Sequence, residues 1–113
     1  LLRDYLNKHG YRVLMFNDLQ RGMKRLESDP PDCVLLMGES IGDDVAGAFL
    51  MTTEHKNGKA PVSIAVLAER QTDIRKRLKE TATNRVLSQP VSLRDLRKEI
   101  HLAIQRKRKS RAK

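Results

Sequence analysis

The 113-residue sequence has a single cysteine, no tryptophan, two tyrosines and two phenylalanines. One thiol, Cys33, excludes an internal disulfide framework and any multi-thiolate zinc site. With aromatics at 4% beside 39% hydrophobic residues, any core is aliphatic. No run approaches the roughly 18 apolar residues of a membrane span. The opening LLRDYLNKHG does not read as a signal peptide, so no membrane association and a cytoplasmic setting are expected. A glycine-rich phosphate loop is missing too, because Gly38 and Gly42 lack its spacing and its following lysine. The length fits one domain, since two would each have too little core.

What the sequence has in excess is positive charge: 23 Lys and Arg against 14 Asp and Glu, a net +9. Residues 106–113, RKRKSRAK, hold six of those bases and no acid, leaving 17 against 14, or +3, for residues 1–105. This composition shift divides the chain into a domain over 1–105 and a basic tail or linker over 106–113. In the tail, Arg106, Lys107, Arg108 and Lys109 could contact a polyanion by salt-dependent, sequence-independent attraction. It carries no aromatic for base stacking and no recognition helix. A linker that continues the last helix toward a neighbouring domain is the preferred reading.

Hydrophobic patterning gives the elements. Leu1, Leu2, Tyr5 and Leu6 recur at helical spacing and Gly10 suits a C-terminal cap, so a helix is expected at the start. Residues 11–16 read as a short strand. Asn17 and Gln20 resemble a capping box before a helix with Leu19, Met23 and Leu26 on one face, weakened slightly by Gly22. Cys33–Met37 is a continuous apolar run, as in a strand covered on both faces. Residues 38–44, GESIGDD, read as a loop, and Val45 to about Glu54 as a short helix offering Ala46, Phe49 and Leu50. A second apolar strand spans 62–68. Thr72 is positioned to cap a basic helix with Ile74, Leu78 and Ala82 inward. A short strand over 85–88, a Gln89-Pro90 turn and a Ser92-capped helix with Leu93, Leu96, Ile100 and Ile104 on one face complete the chain.

Alternating helices and strands without polar alternation imply a parallel sheet between two helical layers. Right-handed crossovers make a doubly wound α/β sheet the simplest solution. A chain that opens on a helix then needs its first strand upstream of Leu1.

In this order the pieces resemble the receiver domain of bacterial two-component response regulators, over nearly the whole length. Residues 2–13, LRDYLNKHGYRV, look like the family's first helix and second strand. PDCVLL at 31–36 is similar to its run into the third strand, and 61–68 to the fourth. Ser88-Gln89-Pro90, followed by Leu93 and Leu96, resembles the turn into the last helix. The resemblance implies a flavodoxin-like fold of five strands and a role in phosphorelay signal transduction.

The departures from the family pattern fall on its chemistry. The phosphoacceptor aspartate would lie five residues after Asp32, where this chain has Met37. A thioether forms no acyl phosphate and is a poor ligand for magnesium. The hydroxyl position at the end of the fourth strand falls on Val66 or Leu67. The lysine of the turn is replaced by Gln89, a neutral amide, and the switch aromatic three residues earlier by Val86. The family's acidic pair would lie after the first strand, outside the sequence. Together these changes remove charge-stabilised phosphoryl transfer. No cofactor is expected, and magnesium only if a phosphoacceptor site exists.

Other candidates carry less. Glu39, Asp43 and Asp44 gather near where a receiver site opens, yet acids in a glycine-containing loop are more often solvated than metal-bound. Cys33, inside a buried strand, reads as a small hydrophobe. His9, His55 and His101 stand far apart, with no acid or nucleophile at motif spacing. By resemblance, the face used for dimers or output domains would include Arg75, Lys79, Arg85, Arg94, Asp95 and Arg97.

The expectation is therefore a non-enzymatic signalling module, a pseudo-receiver acting through protein contacts, with a homodimer possible. Two alternatives stand beside it. One is a nucleic-acid-associated regulator using the basic tail. The other is a working receiver read in the wrong register, against which Cys33–Met37 contains no aspartate.

Overall fold

The apolar runs become strands because their side chains have somewhere to go on both faces. The computed structural model describes Asp4, Lys8 and residues 10–28, 31–53 and 61–111. Four parallel strands form one sheet: β1 (Val13–Phe16), β2 (Cys33–Met37), β3 (Val62–Leu67) and β4 (Asn84–Ser88). The strands lie side by side in chain order, with Met37 opposite Val66 and Leu67 opposite Ser88. The strand expected upstream would enter a flavodoxin-like sheet between β1 and β2. Among the described residues those two strands are bonded directly, Val13 opposite Cys33.

The pleat sorts alternate side chains into two cores. On one face Val13, Cys33, Leu35, Val62, Ile64 and Val66 meet Leu96, Ile100, Ala103 and Ile104 of helix α5 (Leu93–Arg111). On the other, Phe16, Val34, Leu36, Ala65, Leu67 and Val86 meet α1 (Leu19–Ser28), α3 (Val45–Thr53) and α4 (Thr72–Arg77). Right-handed crossovers stepping one way along a sheet place their helices on a single face, so among the described residues only α5 covers the other. The result is the expected three-layer α/β/α sandwich.

Local expectations are corrected at five points. Residues 38–44 are not a loop: α2 (Gly38–Ile41) and a 3-10 turn (Gly42–Asp44) run into α3, with Gly42 at φ +80° turning the chain between them. Asp18, not Asn17, caps α1, its carboxylate accepting the Arg21 N–H at 3.2 Å. Thr72 does not cap α4, because the helix starts one residue earlier in its hydrogen bonding, with Gln71 at the cap. That helix also ends early. Leu78 is already extended, and the Thr81 hydroxyl bonds the Thr83 and Asn84 N–H groups, which competes with helix and leaves Ala82 exposed. Finally, Leu50 and Leu93 sit on the outer sides of their helices, 55% and 48% exposed.

The expected Ser92 cap is present, and Asp32 makes a tie that the sequence does not announce. Ser92 Oγ accepts the Asp95 N–H at 3.0 Å. Asp32 joins the starts of three strands: its carboxylate accepts the Arg12 N–H at 2.8 Å and its carbonyl the Val62 N–H at 3.0 Å. Apart from Asp4 and Lys8, the segment expected to form the opening helix lies outside the described residues, as do His9 and His55. No described helix is long and apolar enough to cross a membrane.

Candidate functional site

In an open α/β sheet, ligand chemistry collects at the carboxyl ends of the strands. Here those ends are Phe16, Met37, Leu67 and Ser88, and the residues that follow the last three are Gly38, Ala68 and Gln89. Three of the four positions singled out from the sequence come together at this edge. Met37 is half-buried and packs toward the α5 core. Leu67 is fully buried in the opposite core. Gln89 stands beside them, its N–H donating to the Leu67 carbonyl at 2.8 Å. Val86 lies further down β4, buried in the same core as Leu67.

The polar centre of this edge is a residue the sequence reading passed over. Gln71 is 8% exposed, and its carboxamide spans two strand ends. Its oxygen accepts the Ala68 N–H at 2.8 Å, and its nitrogen donates to the Gly38 carbonyl at 3.0 Å. The fit requires glycine at 38, since a Cβ there would lie 2.6 Å from the Gln71 oxygen and 3.0 Å from the Val66 carbonyl. The available signal was a polar residue three positions after the end of an apolar strand, too common to single out. Arg75, one turn along α4, donates to the Ser88 hydroxyl. Ala68 and Gln89 border an open cleft of about 650 Å³ whose lining also includes Glu39, Glu69, Arg70 and Val91.

At the positions singled out from the sequence, a neutral amide, a thioether and aliphatic side chains supply no carboxylate nucleophile and no hard-cation ligand; the charged groups of the cleft are Glu39, Glu69 and Arg70 on its walls. Among the described residues no three His, Cys, Asp or Glu gather closely enough to hold a metal. Glu39, Asp43 and Asp44 are exposed on α2 and the 3-10 turn. Burial, with Asp32 nearby adding to it, pushes the Cys33 thiol far above its ordinary pKa, which leaves it neutral inside β2.

The basic residues divide between two regions. Arg75, Lys79, Arg94 and Asp95 are exposed, while Arg85 and Arg97 are half-buried. Arg85 lies 3.9 Å from both Glu80 and Glu99, so its carboxylate partners belong to its own chain. Glu80 also accepts the Val86 N–H at 2.9 Å and thereby blunts the free edge of β4. In the tail, α5 continues without a break across Gln105 to Arg111. Arg106 donates to the Ala82 carbonyl at 3.2 Å, and the Arg108 guanidinium stands 5.3 Å from the centre of the Tyr11 ring. Tyr11 in turn shares a 2.7 Å hydrogen bond with His101 Nδ1. Lys107 is half-buried and Lys109 exposed.

No protein-family model matches the sequence. No curated protein matches it either. The fold is similar to a crystal structure of the signal receiver domain of a protein described as a Luxo repressor, from Vibrio parahaemolyticus. The two share 13% sequence identity at a TM-score of 0.72, over 98% of this chain and 84% of that one. The chain has the fold of a signal receiver domain.

Proposed function

We propose that this chain is a pseudo-receiver: a receiver-fold signalling module that works through protein contacts and takes no phosphoryl group. The observation that carries this reading is Met37 at the carboxyl end of β2, beside a Gln71 carboxamide that already occupies the neighbouring carbonyl and N–H. Leu67 and Gln89 add no hydroxyl and no cation there. An incoming phosphoryl group would find no attacking carboxylate at the end of β2, and the cations near this edge are Arg70 on the wall of the cleft and Arg75 on the Ser88 hydroxyl, with no lysine in the turn after β4.

In this reading no cofactor is used, and magnesium has no role. The setting is the bacterial cytoplasm, and the partner is a protein, a neighbouring output domain or a second copy of the chain. The exposed Arg75, Lys79, Arg94 and Asp95 supply a mixed-charge surface for it. Exposed ion pairs are worth only about 0–1 kcal/mol each, so they set register more than affinity. Polyanion binding by residues 106–109 ranks second, because Arg106 and Arg108 turn onto the domain body.

Amide NMR spectra of the full chain, with and without magnesium and the phosphoryl mimic beryllofluoride, test the proposal. The expected spectra superimpose. Saturable shifts centred on Met37, Leu67 and Gln89 would overturn it.

A further inference from the structure

The early end of α4 leaves a second concavity, away from the strand ends. Because Thr81 and its hydrogen bonds stop the helix, residues 78–83 run without regular structure up to β4. Among the described residues, one flank of α3 has no helical neighbour there. The groove between them has a volume of about 440 Å³. Its wall on α3 is Gly47, Phe49 and Leu50, its far side Leu78, and its rim Arg77 and Lys79. Phe49 is nearly buried, whereas Leu50, at 55% exposure, stands open beside it, and Met51 on the same helix is 54% exposed. The described lining contains no acid. Glu80, next in sequence to Lys79, is turned onto the Val86 N–H and Arg85.

We propose that this groove docks an amphipathic segment of a partner protein, its apolar side chains against Phe49, Leu50 and Leu78 and its carboxylates on Arg77 and Lys79. An apolar centre with a charged rim is the usual anatomy of a peptide-binding groove. The rim here is of one sign, which selects an acidic partner and disfavours a basic one. This rests on the reading that the chain acts through protein contacts, and it names where and with what chemistry.

The groove can be filled without disturbing the fold. A Cβ at Gly47 would meet nothing within 4 Å, and the residue lies inside α3, where glycine is the poorer helix former. The test is fluorescence anisotropy of the full chain with a labelled helical peptide bearing leucines on one face and glutamates beside them. A counterpart with lysines for glutamates is run in parallel. The glutamate peptide is expected to bind saturably and the lysine peptide at least about tenfold more weakly. Gly47→Leu and Leu50→Ser are each expected to weaken the first by about tenfold or more, with circular dichroism unchanged. The double variant Arg77→Glu, Lys79→Glu should reverse the preference.

Absence of binding overturns the proposal. So does binding insensitive to Gly47→Leu and Leu50→Ser, which would mark attraction to the chain's general positive charge. A concentration-dependent dimer abolished by Gly47→Leu also overturns it, by making the occupant a second copy. Phosphoryl transfer is scored separately. A chain that accepts a phosphoryl group yet binds the peptide in this groove contradicts the pseudo-receiver and leaves the docking site standing.

Discussion

Gln71 donates its side-chain N–H to the Gly38 carbonyl across 3.0 Å, joining the residue that follows β2 to the start of α4 at the edge where a receiver keeps its chemistry. Its oxygen holds the buried Ala68 N–H; the Gly38 carbonyl also accepts the Gly42 N–H, so Ala68 is the backbone group left unpaired without Gln71. Gln71→Ala is expected to cost about 1–3 kcal/mol, the penalty for leaving such a group unpaired. Gly38→Ala should cost a comparable amount by forcing the carboxamide away. Urea denaturation of the two variants checks both. If the double variant loses much less than the sum, the two residues act as one unit.

Two glycines in helices on the same face of the sheet should respond in opposite directions. A Cβ at Gly22 would lie 2.5 Å from the Phe16 ring, whereas one at Gly47 enters open space. Gly22→Ala is expected to destabilise by about 1–3 kcal/mol through overpacking. Gly47→Ala should stabilise by up to about 1 kcal/mol through helix propensity. Thermal unfolding of the pair reads the contrast directly.

That contrast marks how far the sequence could be read. Continuous apolar runs such as Cys33–Met37 and Val62–Leu67 announce central strands, since few other environments bury six successive side chains. The Ser92 cap and the face formed by Leu96, Ile100 and Ile104 are equally legible, because they depend on neighbours in sequence. In sequence Gly22 shows only as a weak helix former, because its value lies in a ring from another element. Gln71 and Gly38 escaped for the same reason: their partnership crosses 33 residues. The α4 boundary was missed because Leu78 and Ala82 have helical spacing, while the Thr81 hydroxyl stops the helix before either can use it. At the strand ends, the replaced residues Met37, Leu67 and Gln89 were found by resemblance; the amide that fills the space between them was not.

The Cys33 thiol, buried and held neutral, ties stability to pH. Its folded pKa is raised, so the stability it contributes is fully present below the unfolded thiol's pKa of about 8.5. Above that pH the unfolded chain loses the proton and the folded chain keeps it. Stability should therefore fall by about 1.4 kcal/mol per pH unit from this source. Denaturation between pH 7 and 10 with Cys33→Ala as reference isolates the slope, which the variant should lack. A thiol reagent should modify Cys33 only as fast as the chain opens.

Beneath α3, Ser63 donates to the Thr52 hydroxyl at 3.0 Å, and Thr52 donates to the Phe49 carbonyl at 3.0 Å. Ser63→Ala leaves Thr52 its acceptor and should cost about 1 kcal/mol. Thr52→Val strands the buried Ser63 hydroxyl near a Pro61 carbonyl at 3.5 Å and should cost more, about 1–3 kcal/mol. The double variant should cost less than the sum of the two, a difference that urea denaturation resolves.

The central claim is that the strand ends carry no phosphoryl chemistry. Intact-mass measurement of the full chain after incubation with magnesium and acetyl phosphate tests it most directly. The account predicts an unchanged mass at every incubation time. A stable adduct of one phosphoryl group on the folded chain would contradict it.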